Sequence, residues 1–408
     1  MKNAVLFYCL IFFFTSRMFP QENERNIPMK AGTGYIQVEK GKLFYETAGQ
    51  GDWIVLLHDG ILHHVIWDEQ FPVLAKNYRV VRYDRRGFGK SSAPQAPFSH
   101  LDDLNQLFVQ LKIDKAIVFG VSAGGAWSIH FALKYPEKVR ALVLVGAVVS
   151  GYGYSTHLLT RGGRIGSVAE VTDPPKFIKY FGWDDPYEIY PANIKAKEKF
   201  LKLLEANPQN VTGALGAFSK PPETPAVKFL NDIKVPALVL VGEYDIPDAH
   251  AHAGVIHAGI PNAKREIIAN AGHLIPLDQP EAFNAAVMRF LKSLEFFAIL
   301  NSRGAEAAAR YFHEKRRVEP DTILFEEGEM NALGYGFLQS GKTKDAIEVF
   351  TLNVAAYPNS GNAYDSLGEA YMKDGRKDLA IQNYEKALEL NPNNANAKEI
   401  LKQLKEKP

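Results

Sequence analysis

The sequence predicts an α/β fold: a doubly wound, mostly parallel sheet under a helical cap, followed by an all-α repeat domain. Two observations carry that expectation. Between Gly32 and about Leu294 short β-type runs alternate with helical stretches, and the later runs are apolar throughout, as strands covered by helices on both faces are. Beyond Leu294 the texture turns to alanine-rich helix with a fixed internal period. At 408 residues the chain exceeds one ordinary core, so a large domain over 30–292 and a smaller unit over 293–408 are expected.

Composition narrows the class without naming a partner. Hydrophobic residues at 46% and charged residues at 23% are ordinary for a folded globular chain. With 47 basic against 46 acidic residues the formal charge is +1, which leaves no footprint for nucleic acid and no field to steer a polyanion. Residues 1–21 read as a signal peptide or an N-terminal anchor: Met1-Lys2-Asn3, an apolar run from Ala4 to Phe14, then a polar exit, Thr15-Ser16-Arg17. The run is short for a bilayer span, which favours export, with membrane attachment only if the segment stays uncleaved. The single cysteine, Cys9, lies in that run, so the mature chain would hold no thiol for a disulfide, a metal site or a nucleophile.

The expected strands are Gly34–Val38 and Lys42–Thr47, split by the turn Glu39-Lys40-Gly41, then Trp53–Leu57, Arg79–Tyr83, Ala116–Phe119, Ala141–Val145, Ala237–Val241 and Arg265–Ile268. In such sheets ligands sit at the carboxyl ends of the strands, so the informative residues should follow them. From about 150 to 232 the rhythm breaks into glycines, prolines and aromatics around one amphipathic helix, 191–206. That insertion is too long for a simple connection and reads as a mostly helical cap over a pocket.

In the tail, Leu333 and Leu367, Gly334 and Gly368, Phe337 and Tyr371, Gly341 and Gly375, Ala346 and Ala380, Phe350 and Tyr384, and Pro358 and Pro392 all stand 34 apart. The pattern resembles the tetratricopeptide repeat, with Met330 and Tyr364 in place of its leading tryptophan. Two repeats bury little surface, so 294–317 is expected to supply a preceding helix and Ala395–Lys405 a closing one. The resemblance implies a surface for a protein partner.

The stretch "GVSAG" around Ser122 fits G-x-S-x-G, in which a sharp strand-to-helix turn lifts the serine hydroxyl above the sheet. Its plainer alternative is a glycine-flanked helix start with Ser122 as cap. Context favours the first. An apolar strand precedes the serine and a helical stretch, Ala126–Lys134, follows it. "NAGHLIP" supplies His273 after the last strand as a base, and "VGEYDIPD" supplies Asp245 after the strand before it as an orienting acid. Asp248, three residues on, is the runner-up acid.

Five motifs stand in order: Leu56-Leu57-His58-Asp59-Gly60, Tyr83-Asp84-Arg85-Arg86-Gly87-Phe88-Gly89-Lys90-Ser91-Ser92, the serine turn, Gly242-Glu243-Tyr244-Asp245, and Ala271-Gly272-His273. On these, residues 34–292 resemble the α/β-hydrolase family. The resemblance implies that Ser122 attacks, that His273 takes and returns its proton, and that Asp245 fixes the histidine tautomer. It also implies an oxyanion hole from the Ala123 N–H and a second donor after His58, either Gly60 or Ile61. Here the chain departs from the family's usual His-Gly: Asp59 holds the glycine position, and its side chain is expected to point away from the oxyanion. A serine nucleophile excludes the alkyl-ester chemistry that dehalogenases and epoxide hydrolases of this fold run on aspartate. Acyl chemistry is left, foremost a carboxylic ester or lactone, with an amide or a C–C bond beside a ketone as alternatives.

A non-catalytic binding protein that keeps the hydrolase shell is the competing class, and the complete set of Ser, Asp and His argues against it. His58, Trp67, Tyr152 and Trp183 are expected to line the pocket for a small-molecule acyl substrate. His63 and His64 are read as pocket lining or exposed, and His250, His252 and His257 lack the spacing of metal ligands. Asp84-Arg85-Arg86 reads as a turn that supports neighbouring loops. No cofactor and no metal are expected.

Overall fold

The computed structural model describes residues 32–161, 174–211 and 218–406. The N-terminal segment 1–21 and parts of the cap therefore lie outside the described residues. The chain divides into two compact units between Val287 and Met288.

The first unit is built on one eight-stranded sheet in the order β1-β2-β4-β3-β5-β6-β7-β8. β1 (Gly32–Val38) and β2 (Gly41–Ala48) form an antiparallel hairpin, and β2 also runs antiparallel to β4 (Arg79–Tyr83). β3 (Trp53–Leu57), β5 (Ala116–Val121), β6 (Val139–Val145), β7 (Ala237–Gly242) and β8 (Ala263–Ile268) continue in parallel from β4. The long apolar runs lie in the middle of the sheet, and every residue of β5 and β7 is buried. Along β5 the two faces alternate. Val118 joins the core under the helices His100–Gln110, Ala123–Lys134 and Pro247–Gly259. Phe119, one residue on, points the other way and packs edge-on against Trp67, which in turn meets Phe283. A mostly parallel sheet with helical cover on both faces is the doubly wound arrangement expected from the sequence.

Between β6 and β7 the chain leaves the sheet for the cap, where the longest described helix is Ile194–Ala206. It begins three residues later than the amphipathic pattern suggests, because Asn193 caps it by accepting the Ala196 N–H at 3.2 Å. Phe200 and Leu204 form its buried stripe.

The second unit is a run of helices: Ala305–Val318, Glu327–Gln339, Thr343–Ala356, Gly361–Lys373, Lys377–Leu390 and Ala395–Glu406. Residues 294–317 are two helical pieces and not one. Gly304, at φ 84°, separates the helix ending at Arg303 from the one starting at Ala305. The repeating aromatics fill the cores between helices: Phe350 and Tyr384 have no exposed surface. No helix among the described residues is long and apolar enough to cross a membrane.

Candidate active site

Ser122 follows β5 directly and precedes the helix Ala123–Lys134. Its backbone takes φ 51° and ψ −114°, a conformation that non-glycine residues rarely hold unless the surroundings force it. Two bonds do so here: the Ser122 N–H donates to the Val145 carbonyl at 2.8 Å, and the Ser122 carbonyl accepts the Ala126 N–H at 3.1 Å. The hydroxyl makes no capping bond to the helix, so the serine does not do the work of an N-cap. The turn is tight enough to need its glycines. A Cβ on Gly120 would lie 2.4 Å from the Gly124 carbonyl oxygen, and one on Gly124 would lie 2.5 Å from that of His58.

His273 and Asp245 reach each other from the loops after β8 and β7. His273 Nδ1 lies 2.9 Å from Asp245 Oδ1 and 3.0 Å from Oδ2. The Asp245 side chain is fully buried, whereas that of His273 keeps 12% of its surface. A carboxylate can only accept, so the shared proton sits on Nδ1 and leaves Nε2 as the basic nitrogen. Gly146 ties this pair to the serine. It follows Val145, the partner of the Ser122 N–H, at φ +52°, and a Cβ there would lie 2.9 Å from His273 Nδ1 and 3.2 Å from Asp245 Oδ2. Asp248 is committed elsewhere: its two oxygens take the Ser155 N–H at 2.6 Å and the Ser155 hydroxyl at 2.5 Å.

The loop after β3 carries the departure at Asp59. Its carboxylate turns back into its own loop, where Oδ1 accepts the N–H groups of Ile61 at 2.6 Å and Leu62 at 2.9 Å. Ile61 is thereby taken out of the pair of possible oxyanion donors. Gly60 is the exposed residue between buried Asp59 and half-buried Ile61, and its Cβ position is 3.7 Å from the Ala123 Cβ. The Ala123 N–H opens the helix and has no intrahelical acceptor. Burial pushes the Asp59 carboxyl up from its ordinary range, against the pull of the Leu62 and Ile61 N–H groups and of Arg85.

The pocket residues expected from sequence need correction. His58 and Trp67 have no exposed surface. His58 spends both ring nitrogens on backbone: Nε2 accepts the Arg85 N–H at 2.9 Å, and Nδ1 meets the Asp59 carbonyl at 2.8 Å. Burial holds it neutral, well below the ordinary histidine range. Trp67 is core, wedged between Phe119 and Phe283. His63 and His64 are buried as well, and His64 Nδ1 lies 2.6 Å from Asp84 Oδ1. Tyr152 and Trp183 are exposed at 38% and 40%. The Tyr152 ring stands edge-on to His252 at 5.1 Å, and the Trp183 carbonyl accepts Lys197 Nζ at 3.2 Å.

Two groups near the histidine escaped sequence reasoning. The Tyr187 carbonyl, in the cap, accepts the His273 N–H at 2.8 Å. Buried Asp278 takes the Gly272 N–H at 2.8 Å and the Tyr190 N–H at 2.6 Å, which joins the histidine loop to the cap. An acid five residues past the histidine was the only available signal, and nothing in its spacing announces that role.

One mostly parallel sheet thus carries a serine on a strained strand-to-helix turn after β5 and a histidine–carboxylate pair on the loops after β7 and β8. The chain belongs to the α/β hydrolase fold family, which it matches over residues 52–280, more than half its length. Residues 362–394 match the tetratricopeptide repeat. Among curated relatives, the carboxylesterase YbfK of Bacillus subtilis is 25% identical over 65% of this chain and 89% of its own length. The 2-hydroxy-6-oxo-6-phenylhexa-2,4-dienoate hydrolase of Burkholderia cepacia is 26% identical over 62% of this chain and 93% of its own. A hydrolase from Pseudomonas aeruginosa of known crystal structure superposes with a TM-score of 0.55 at 27% identity, over 64% of this chain and 98% of that one. Esterases and other hydrolases among the relatives support hydrolase activity for this chain.

Proposed function

We propose that the protein is a serine hydrolase that cleaves an ester-type acyl bond, in a carboxylic ester or a lactone, through an acyl-enzyme. Ser122 Oγ attacks the acyl carbon while His273 Nε2 takes its proton, and Asp245 stabilises the imidazolium through Nδ1. The Ala123 and Gly60 N–H groups hold the tetrahedral oxyanion. His273 then protonates the departing alcohol, and water repeats the sequence to release the acid. The observation that carries this reading is the His273–Asp245 pair packed on Gly146, one residue from the carbonyl that anchors Ser122. The carboxylesterase relative favours an ester, and the dienoate hydrolase relative makes a C–C bond beside a ketone the alternative. Export through residues 1–21 and a protein partner for the repeats belong to the same proposal.

The test is labelling by a fluorophosphonate probe with parallel turnover of p-nitrophenyl esters, lactones and a vinylogous diketone. Wild type should label and Ser122→Ala should not. Asp245→Ala should lose about 10⁴ in kcat, as removal of a triad acid does, while Asp248→Ala should retain activity. A folded, unlabelled wild type would leave a binding protein.

A further inference from the structure

The loop from His58 to Leu62 contains polar contacts that the reaction outlined above does not use. The Asp59 carbonyl accepts two hydrogen bonds, one from His58 Nδ1 at 2.8 Å and one from Arg85 Nη2. The His58 tautomer is set by its other nitrogen: Nε2 accepts the Arg85 N–H, so Nδ1 bears the proton and donates. Both donors are buried, His58 completely and Arg85 to within 4%. The guanidinium lies over the Phe88 ring at 4.8 Å, and its Nε has no hydrogen-bond partner among the described residues.

The Asp59 carbonyl and the Gly60 N–H are two ends of one peptide unit. That unit is trans, so they lie in one rigid plane and point in opposite directions. Two donors that fix the carbonyl therefore also fix where the N–H points. A cation on the carbonyl oxygen draws charge across the amide and makes the N–H a stronger donor. The Asp59 carboxylate completes the arrangement by occupying the Ile61 and Leu62 N–H groups, so that Gly60, beside Ala123, presents the amide left for a ligand.

We infer that Arg85 is a positioning residue for the oxyanion hole: it grips the Asp59 carbonyl, and through that peptide it aims and strengthens the Gly60 N–H. The inference rests on the serine-hydrolase reading. A carboxylate is tolerated where the family has glycine because Asp59 Oδ1 is folded onto the Ile61 and Leu62 amides of its own loop.

The experiment uses the full chain as wild type, Arg85→Gln, Arg85→Lys and Arg85→Met. Readouts are kcat and KM for p-nitrophenyl acetate and the inhibition constant of an alkyl trifluoromethyl ketone, whose serine adduct places an oxyanion in the hole. Loss of a whole oxyanion donor costs about 10²–10³ in kcat, and a donor that is kept but misaimed and less polarised should cost about 10–100. Arg85→Gln should therefore lower kcat about 10–100-fold with KM within about twofold, and should weaken the ketone by the same factor. Arg85→Lys, which keeps the cation, should recover most of the loss. If Arg85→Gln does not fold, Arg85→Met, which keeps the length of the side chain without its donors, carries the test, and kcat and ketone affinity should again fall together. A full-rate Arg85→Gln enzyme, or a kcat loss with unchanged ketone affinity, overturns the inference while a labelled wild type upholds the hydrolase reading. An inert, unlabelled wild type takes both down.

Discussion

Gly146→Ala is the most direct probe of how the histidine–aspartate pair is seated. The new Cβ would lie 2.9 Å from His273 Nδ1, about 0.5 Å inside ordinary contact, which begins at 3.4 Å. Asp245 blocks retreat on the other side, since its Oδ2 is only 3.2 Å from the same position. The imidazole must therefore swing outward, toward the 12% of its surface that is exposed, and the bonds of 2.9 and 3.0 Å to Asp245 must lengthen. A misplacement of 1 Å costs about 10²-fold, so a shift of half that size should lower kcat about 10-fold. An alanine at φ +52° adds backbone strain of about 1–2 kcal/mol. For a unit of this size that strain lowers the melting temperature by about 2–8 °C. The assay is p-nitrophenyl acetate turnover beside a thermal melt. A variant that melts lower yet turns over at the wild-type rate would show that strain was relieved without moving the ring, and the seating argument would fail.

Two further outcomes follow from burial. His58 and His100 are held neutral by desolvation, well below the ordinary value of 6.5. As pH falls through 6.5 the unfolded chain takes up those protons and the native state does not, so stability is full above that pH and declines below it. Each histidine contributes up to about 1.4 kcal/mol per pH unit. Urea unfolding at pH 5 and 7 measures the slope. His100→Phe, at a site packed between Phe98 and Trp127, should remove one proton's share, and an unchanged slope would refute it. In the repeats, a Cβ on Gly334 would lie 2.4 Å from Phe350, whereas one on Gly368 would stand 3.3 Å from Tyr384. Gly334→Ala should therefore cost about 1–3 kcal/mol, the range of core overpacking, and Gly368→Ala less. Limited proteolysis of the repeat unit would expose the difference, and equal sensitivity would contradict it.

Strand positions were legible, their ends less so. Trp53–Leu57 and Arg79–Tyr83 can be read to the residue, because an apolar run ends where polar loop residues begin, whereas the fully buried β5 and β7 run past the expected ends at Phe119 and Val241 through glycines that look like turns on paper. The serine turn was legible for a different reason, namely that close backbone approach demands glycines at fixed offsets. The commitments of polar side chains were not legible. Asp248 stands as a runner-up to Asp245 on paper, and only the fold shows Ser155, 93 positions away, occupying it. His58 and Trp67 adjoin the oxyanion motif in sequence yet lie beneath it in space, since a loop turning over a strand end buries every residue that faces the sheet. Asn193 was a missed local signal, a cap residue passed over in favour of Pro191.

The buried aspartates share a physical logic that the reacting groups do not reveal. Loops at strand ends leave amides without ladder partners, and a buried amide left unbonded is costly. One carboxylate satisfies two such amides at once. Asp59 takes Ile61 and Leu62, Asp84 takes His64 at 2.9 Å and Lys90 at 2.8 Å, and Asp278 takes Gly272 and Tyr190. Their titration reflects how well each is compensated. Burial pushes Asp59 and Asp278 up, while at Asp84 the His64 ring and the two amides overcome burial and hold it low. Each of these loops either carries a residue of the proposed reaction or buttresses one that does. The sheet therefore supplies position, and the carboxylates remove the freedom that loops would otherwise keep. In the proposed reaction such a site is preorganised: Gly60 and Ala123, the amides assigned to the oxyanion, are ones that the Asp59 carboxylate passes over for those of its neighbours Ile61 and Leu62.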